Sequence, residues 1–322
     1  MTVRVRAFGA GAKLFTLQAH GIKAELSDYG AALVGLHHPD GTNVVLGLGS
    51  GAAYQDDSQY MGVIAGRYAN RIACGRFTLD GQSWQLACNE GRHHLHGGPE
   101  GFSRRLWRAE TSQDENEVCF RLTSPHLDQG YPGNLEASVR YLITDEGRLR
   151  LELKASADRP SLVNLAPHGY FNLTGRPQPA PHLLRLHAGH YTPVDAELIP
   201  TGRIRPVDGT PFDYRSARRL DPDMDMNFVI DGAAGTLRPA AELIDPASGR
   251  RLLVRASAPG LQVYGGKHLA MGGRFPAHAG LCLEPQYFPD SPNQPAFTAP
   301  VIGPGRDYGE TIEYDFAPAA GA

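Results

Sequence analysis

Apolar and polar residues alternate with a two-residue period through much of this chain, and that period predicts strands. In EASVRYLITDEGRLRLELKASAD, Val139, Tyr141 and Ile143 alternate with polar neighbours, Asp145-Glu146-Gly147 turns the chain, and Leu149, Leu151 and Leu153 resume the alternation. The pattern predicts a hairpin. Two further hairpins follow the same grammar: Phe77 and Leu79 lead through Asp80-Gly81 to Trp84 and Leu86, and Leu243 and Ile244 lead through DPASG to Leu252 and Val254. No window of helical length keeps an apolar stripe at i, i+3, i+4, i+7 before Gly or Pro interrupts it, so helices are minor. Arg176 to His182, Ile199 to Asn227 and Phe288 to Pro300 are rich in Pro, Gly or Asp and read as long loops, whose length points to function.

Composition strengthens the β reading. Among 322 residues, 38 glycines and 25 prolines punctuate any long helix and suit many short strands joined by turns. No loop separates segments of distinct composition, no internal repeat recurs, and only the APAAGA tail is low in complexity, so residues 1–322 are expected to form one domain. A net charge of −3 gives no footprint for nucleic acid or an anionic membrane, and a neutral partner fits better. Arg4 and Arg6 are not followed by an apolar run, and no stretch reaches membrane-spanning length, so a cytoplasmic protein is expected. Cys74, Cys88, Cys119 and Cys282 are widely spaced without a C-x-x-C pair, which predicts free, mostly buried thiols.

Three segments carry candidate chemistry. In the first, Gly66 to Phe102, Asn70-Arg71-Ile72 supplies a guanidinium fork and His96-Gly97-Gly98 an imidazole beside glycines that let backbone approach a flat ligand. In the second, Asn164 to Gly175, His168 sits among apolar residues and reads by pattern alone as a satisfied core histidine. In the third, Leu281 to Pro295, alternation sets Leu281 and Leu283 on one face and Cys282 and Glu284 on the other, with Pro285 expected to stop the strand. By pattern Glu284 is an exposed strand-end carboxylate; partial desolvation beside Cys282, Tyr287 and Phe288 would instead raise its pKa toward that of a general base. The run His94 to Glu100 also fits H-x-H-x-x-x-E, a metal-ligand spacing of cupins, but the second cupin motif is absent.

The three segments, in this order and at roughly this spacing, resemble the active-site blocks of the aldose 1-epimerases, the galactose mutarotases, and the resemblance covers nearly the whole chain. It implies an all-β fold, a large antiparallel β-sandwich of the galactose mutarotase type. It implies interconversion of α and β anomers of a free aldose by acid/base ring opening and closure, with Glu284 as base and His168 as acid. Asn70, Arg71 and His96 would bind and orient the sugar together with Asp225, which falls on the Asp of the family's D-H-N-F segment; a two-residue slip would put Asp223 there. No cofactor or metal is required, and the partner is a monosaccharide, met by a monomer or homodimer. The sequence departs from the family at Pro167, Gly169, Met226, Lys267 and His268. The first two remove expected partners of the acid, and the last two are expected to reshape a pocket wall and alter sugar choice. Two rivals stay open: a hexose-6-phosphate 1-epimerase using Arg215, Arg218 and Arg219, and a non-catalytic carbohydrate-binding module.

Overall fold

A computed structural model describes residues 3–112 and 116–316; the APAAGA tail lies outside them. The only α-helix among the described residues is Gly51–Gln55, capped by the Ser50 hydroxyl, which accepts from the Ala53 amide. The strands pair antiparallel. A nine-stranded sheet is ordered Arg108–Ser112, Glu117–Ser124, Leu135–Ile143, Leu149–Ala157, Tyr308–Asp315, Arg251–Ala256, Arg238–Ile244, Leu183–Leu186, Arg218–Arg219. A seven-stranded sheet is ordered Arg205–Pro206, His190–Thr192, Asp225–Val229, Gly260–Tyr264, Leu281–Gln286, Tyr170–Phe171, Val45–Leu46. The N-terminal residues Arg4 to His37 form a four-stranded sheet of consecutive hairpins.

These sheets share one apolar core. Val139, Leu151 and Val254 of the larger sheet meet Leu261, Val263, Leu281 and Leu283 of the seven-stranded one, and Leu17 and Leu26 join from the N-terminal sheet. This is the large antiparallel sandwich that the resemblance implies, built from the strands that the alternation predicts. All three predicted hairpins form, pairing Val139 with Leu153, Phe77 with Trp84, and Leu243 with Leu252.

Three expectations are corrected. Pro285 does not stop its strand, which runs on to Gln286. The flanking strand on one side ends at Tyr170 opposite Cys282, so Pro285 is paired only to Leu261 and no second ladder demands its missing N–H. The Ile199 to Asn227 stretch is not all loop, since it carries Arg205–Pro206, Arg218–Arg219 and the start of Asp225–Val229. The four cysteines are free, but only Cys282 is buried; Cys74 and Cys88 are exposed and Cys119 is half-buried. No helix among the described residues is long and apolar enough to cross a membrane.

Candidate active site

The strand Leu281–Gln286 is buried along its whole length because its two faces serve different purposes. Leu281 and Leu283 enter the core, while Glu284 faces the opposite way into a cavity of ≈ 490 Å³, a size that suits a small ligand. Register fixes its neighbours. Glu284 pairs with Gln262, and Gln262 pairs with Asn227, so three adjacent strands present one polar face. Two residues along the same face, Asp225 accepts a 2.6 Å hydrogen bond from Gln262 Nε2.

The opposite wall comes from turns. Asn70 and His96 both have left-handed backbones, with φ of 65° and 50°. The Asn70 amide donates to His96 Nδ1 at 3.1 Å, and the Asn70 side-chain oxygen accepts from the Arg71 amide at 2.8 Å. Arg71 makes a two-pronged pair with Glu90, each prong 2.6 Å, so its guanidinium is held by an acidic neighbour at the cavity edge. Gly97 is needed at its place: its φ is +91°, and a Cβ there would stand 1.7 Å from the Gly66 carbonyl oxygen.

His168 joins the walls. Its amide donates to Val63 O and its carbonyl accepts from the Gly62 amide, so the backbone is clamped from both sides despite Pro167 and Gly169. Its ring stands edge-on to His96, centroids 5.1 Å apart, with Tyr60 against both rings. His168 Nε2 lies 3.8 Å from Glu284 Oε1.

Burial dominates the electrostatics. It pushes the Glu284 carboxyl well above the usual range, helped by the nearby charge of Asp225. It holds His168 down to about 4 and pushes His96 well below the usual imidazole range as well, with His168 and Arg71 nearby adding to the effect on His96. Desolvation also raises Asp225, against the opposing pull of Arg71. Because the Asn70 amide occupies His96 Nδ1 as a donor, neutral His96 carries its proton on Nε2 and presents a donor to the cavity.

That tautomer bears on metal binding. His96, His168 and Glu284 bring one ligand atom each within 4.8 Å of one another. Metal on His96 Nε2 would require an imidazolate, since Nδ1 already accepts a backbone proton, so this donor set fits a metal poorly. The H-x-H-x-x-x-E run does not assemble either. His94 is buried with Nδ1 on the Ala87 carbonyl and Nε2 on the Tyr131 hydroxyl, each 2.6 Å away, and Glu100 is exposed.

All six residues expected in the site, Asn70, Arg71, His96, His168, Asp225 and Glu284, line this one cavity. Of the residues that depart from the family pattern, only His268 reaches it, stacked on Tyr264. Lys267 is exposed and pairs with Asp223 at 3.4 Å, and Met226 points into the core. Asp223 is therefore not the inward carboxylate, and neither Lys267 nor Met226 lines the cavity. Arg215 is held by Asp213 and Asp208, and Arg218 lies over Tyr214; neither they nor Arg219 line the cavity. Pattern reasoning passed over Tyr60 and Glu90, and gave no role to Gln262 and Tyr264 within the wall segment that ends in Lys267 and His268; all four line the cavity. Gln262 was findable only through the strand register that sets it beside Glu284.

Comparison with known proteins gives the family. The aldose 1-epimerase family model matches residues 13–315. The aldose 1-epimerase of Escherichia coli (strain K12) is 37% identical over 332 residues, 94% of this chain and 95% of its own length. The chain belongs to the aldose 1-epimerase family. The galactose mutarotase of Bos taurus is 37% identical over 97% of this chain and 96% of its own. Among solved structures, the aldose epimerase homologue from C. elegans superposes with a TM-score of 0.89 at 30% identity, covering 96% of this chain and 99% of that one. Like other aldose 1-epimerases, this member is an isomerase acting on sugars.

Proposed function

We propose that this aldose 1-epimerase interconverts the anomers of a neutral aldose, galactose or glucose first among them, with Glu284 as base and His168 as acid. The observation that carries this reading is the 3.8 Å separation of Glu284 Oε1 and His168 Nε2 on the cavity floor. The anomeric hydroxyl and the ring oxygen of a pyranose are bonded to the same carbon, so a base for one and an acid for the other must converge closely. Glu284 takes the O1 proton as His168 protonates O5; the C1–O5 bond breaks, the aldehyde turns about C1–C2, and reverse transfers close the ring on the other face.

Burial raises Glu284 and lowers His168, so between the two values the pair holds one proton and the resting proton favours the carboxyl. Sugar hydroxyls entering beside Glu284 supply hydrogen bonds to the carboxylate and favour the reacting form, with the proton on His168. Activity is therefore expected to fall below about 4, as His168 takes up a second proton, and again as pH rises through the raised value of Glu284. His96, through its Nε2 proton, and Asp225, Gln262, Asn70 and Arg71 orient the hydroxyls.

Three carboxyl groups, Glu90, Asp225 and Glu284, face the cavity against one guanidinium that Glu90 already holds, which favours a neutral sugar over a phosphate dianion. Every proposed group comes from one chain, so a monomer or a homodimer serves equally. The whole chain acts as one domain in this reading, and its unpaired cysteines support a reducing cytoplasmic setting. Polarimetry of freshly dissolved pure α anomers tests the proposal. Galactose or glucose should rank above a sugar 6-phosphate, and a clear win for the phosphate would overturn it.

A further inference from the structure

Beyond the cavity floor the same polar face continues into groups to which the proposed reaction gives no role, namely Glu284 Oε2, Asn227 and Gln286. Nine buried side-chain nitrogen or oxygen atoms among the described residues lack a hydrogen-bond partner, and five of them belong to four neighbouring residues: Asn227 Oδ1, Gln262 Oε1, Glu284 Oε2, and both Gln286 Oε1 and Nε2. These side chains share one face of three adjacent strands: Asn227, Gln262 and Glu284 stand in a row, and Gln286 is two residues beyond Glu284. All four residues are at most 5% exposed, and neither Asn227 nor Gln286 lines the sugar cavity. Asn227 Oδ1 leans over Gly260, the partner of Gln286, where a Cβ would come within 2.7 Å of it and within 2.8 Å of the Phe288 ring.

The chemistry of this cluster is lopsided. Asn227 directs its amide nitrogen to Thr192 Oγ1 at 3.0 Å, and Gln262 its own to Asp225 Oδ1 at 2.6 Å, which leaves the side-chain oxygen of each without a partner. With Gln286 Oε1 and Glu284 Oε2, four unpartnered oxygens stand against one unpartnered nitrogen, Gln286 Nε2. The titratable groups around Glu284, namely His168, Cys282, Asp225, Arg71, Tyr170, Tyr264 and Tyr314, leave Oε2 without a hydrogen bond. Buried acceptors that the protein does not satisfy accept hydrogen bonds from water, which supplies two donors in the smallest volume.

We propose that Gln286, Asn227 and Gln262 hold ordered water against Glu284 Oε2, and that this water makes Gln286 and Asn227 positioning residues for the base. The water fixes the rear oxygen of the carboxylate and leaves Oε1, the one facing His168, to take the sugar proton. It also favours the ionised carboxyl within a site that burial otherwise makes hostile to charge.

This inference rests on Glu284 being the base, and its test separates the two claims. Gln286→Leu keeps the bulk and removes the amide. In the folded variant kcat should fall about 10-fold or more with KM within about 3-fold, because the loss acts on proton transfer rather than sugar binding. The alkaline limb of the pH profile should move up by roughly one pH unit. Gln286→Asn, which keeps the amide and leaves room for one further water, should restore most of kcat. Unchanged kcat and an unmoved limb in Gln286→Leu would overturn the proposal. A high-resolution crystal structure of the unaltered protein gives a readout independent of catalysis. Water within hydrogen-bond distance of Glu284 Oε2 and Gln286 supports the proposal. Direct bonding among the four side chains, or a metal cation at that place, overturns it, whatever Glu284→Gln does to activity.

Discussion

Asp225, Gln262 and Glu284 stand on three adjacent strands, whereas Tyr60, Asn70 and His96 stand on turns whose backbones are all left-handed. The strand wall is placed by register: once the hydrophobic faces of these strands are buried, their polar faces have nowhere else to point. The turn wall is placed by local contacts, among them the Asn70 amide on His96, the Asn70 oxygen on Arg71, and a glycine at position 97 where no side chain fits. Changes on the strand wall should therefore alter chemistry without harming the fold, and changes on the turn wall should harm the fold or the orientation of the sugar.

The sharpest way to break that contrast is to place a side chain at Gly97. Gly97→Ala puts a methyl into the Gly66 carbonyl at a strained backbone angle, and should cost roughly 3 kcal/mol or more, read as loss of soluble protein or of Tm. A soluble variant with unaltered Tm would show that the turn is more adaptable than its geometry implies.

Next come the two histidines, one bridging the walls and one on the turn side. His168→Asn should lower kcat by about 10²–10⁴-fold, since it removes the proposed acid. His96→Asn should cost about 10-fold and show partly in KM, because His96 orients rather than transfers. If the His96 variant proves the more damaged in kcat, the roles exchange.

A smaller effect appears in stability. The folded chain binds the Glu284 proton more tightly than the unfolded chain, because burial raises its pKa. That contribution is fully present below the unfolded value of about 4.3 and is lost as pH rises through the folded value. Glu284→Gln has no such proton to lose, so it should equal the parent in Tm near pH 4 and exceed it with rising pH, by about 1 kcal/mol or more at the alkaline end. Thermal melts across that range check the sign; a gap that shrinks with rising pH would contradict it.

The smallest effect belongs to Lys267→Asn, which should leave the ranking of sugars unchanged because Lys267 is exposed and engaged with Asp223.

The same contrast explains how much the sequence disclosed. Hairpins such as Val139 to Leu153 were legible because alternation and turn residues agree locally, and so was the facing of Glu284 opposite Leu283. The depth of Glu284 was not, since Pro285 suggests a strand end and only the one-sided pairing at that point shows how the strand continues. Gln262 was hidden because cross-strand neighbours have no signature within one segment. Tyr60 and Glu90 were hidden for a different reason: they reach the site from turns, and their hydrogen bonds and ring contacts are made to residues distant in sequence.

The proposed reaction turns on a buried carboxylate at position 284 that performs the proton transfer. Its most direct test is the mutarotation rate of pure α-galactose or α-glucose with Glu284→Gln, measured beside equilibrium binding of the same sugar. The amide keeps the shape and cannot accept the proton. The predicted result is a kcat lower by about 10³-fold or more with binding within a few-fold of the parent; a variant that equilibrates the anomers at near the parent rate would contradict the account.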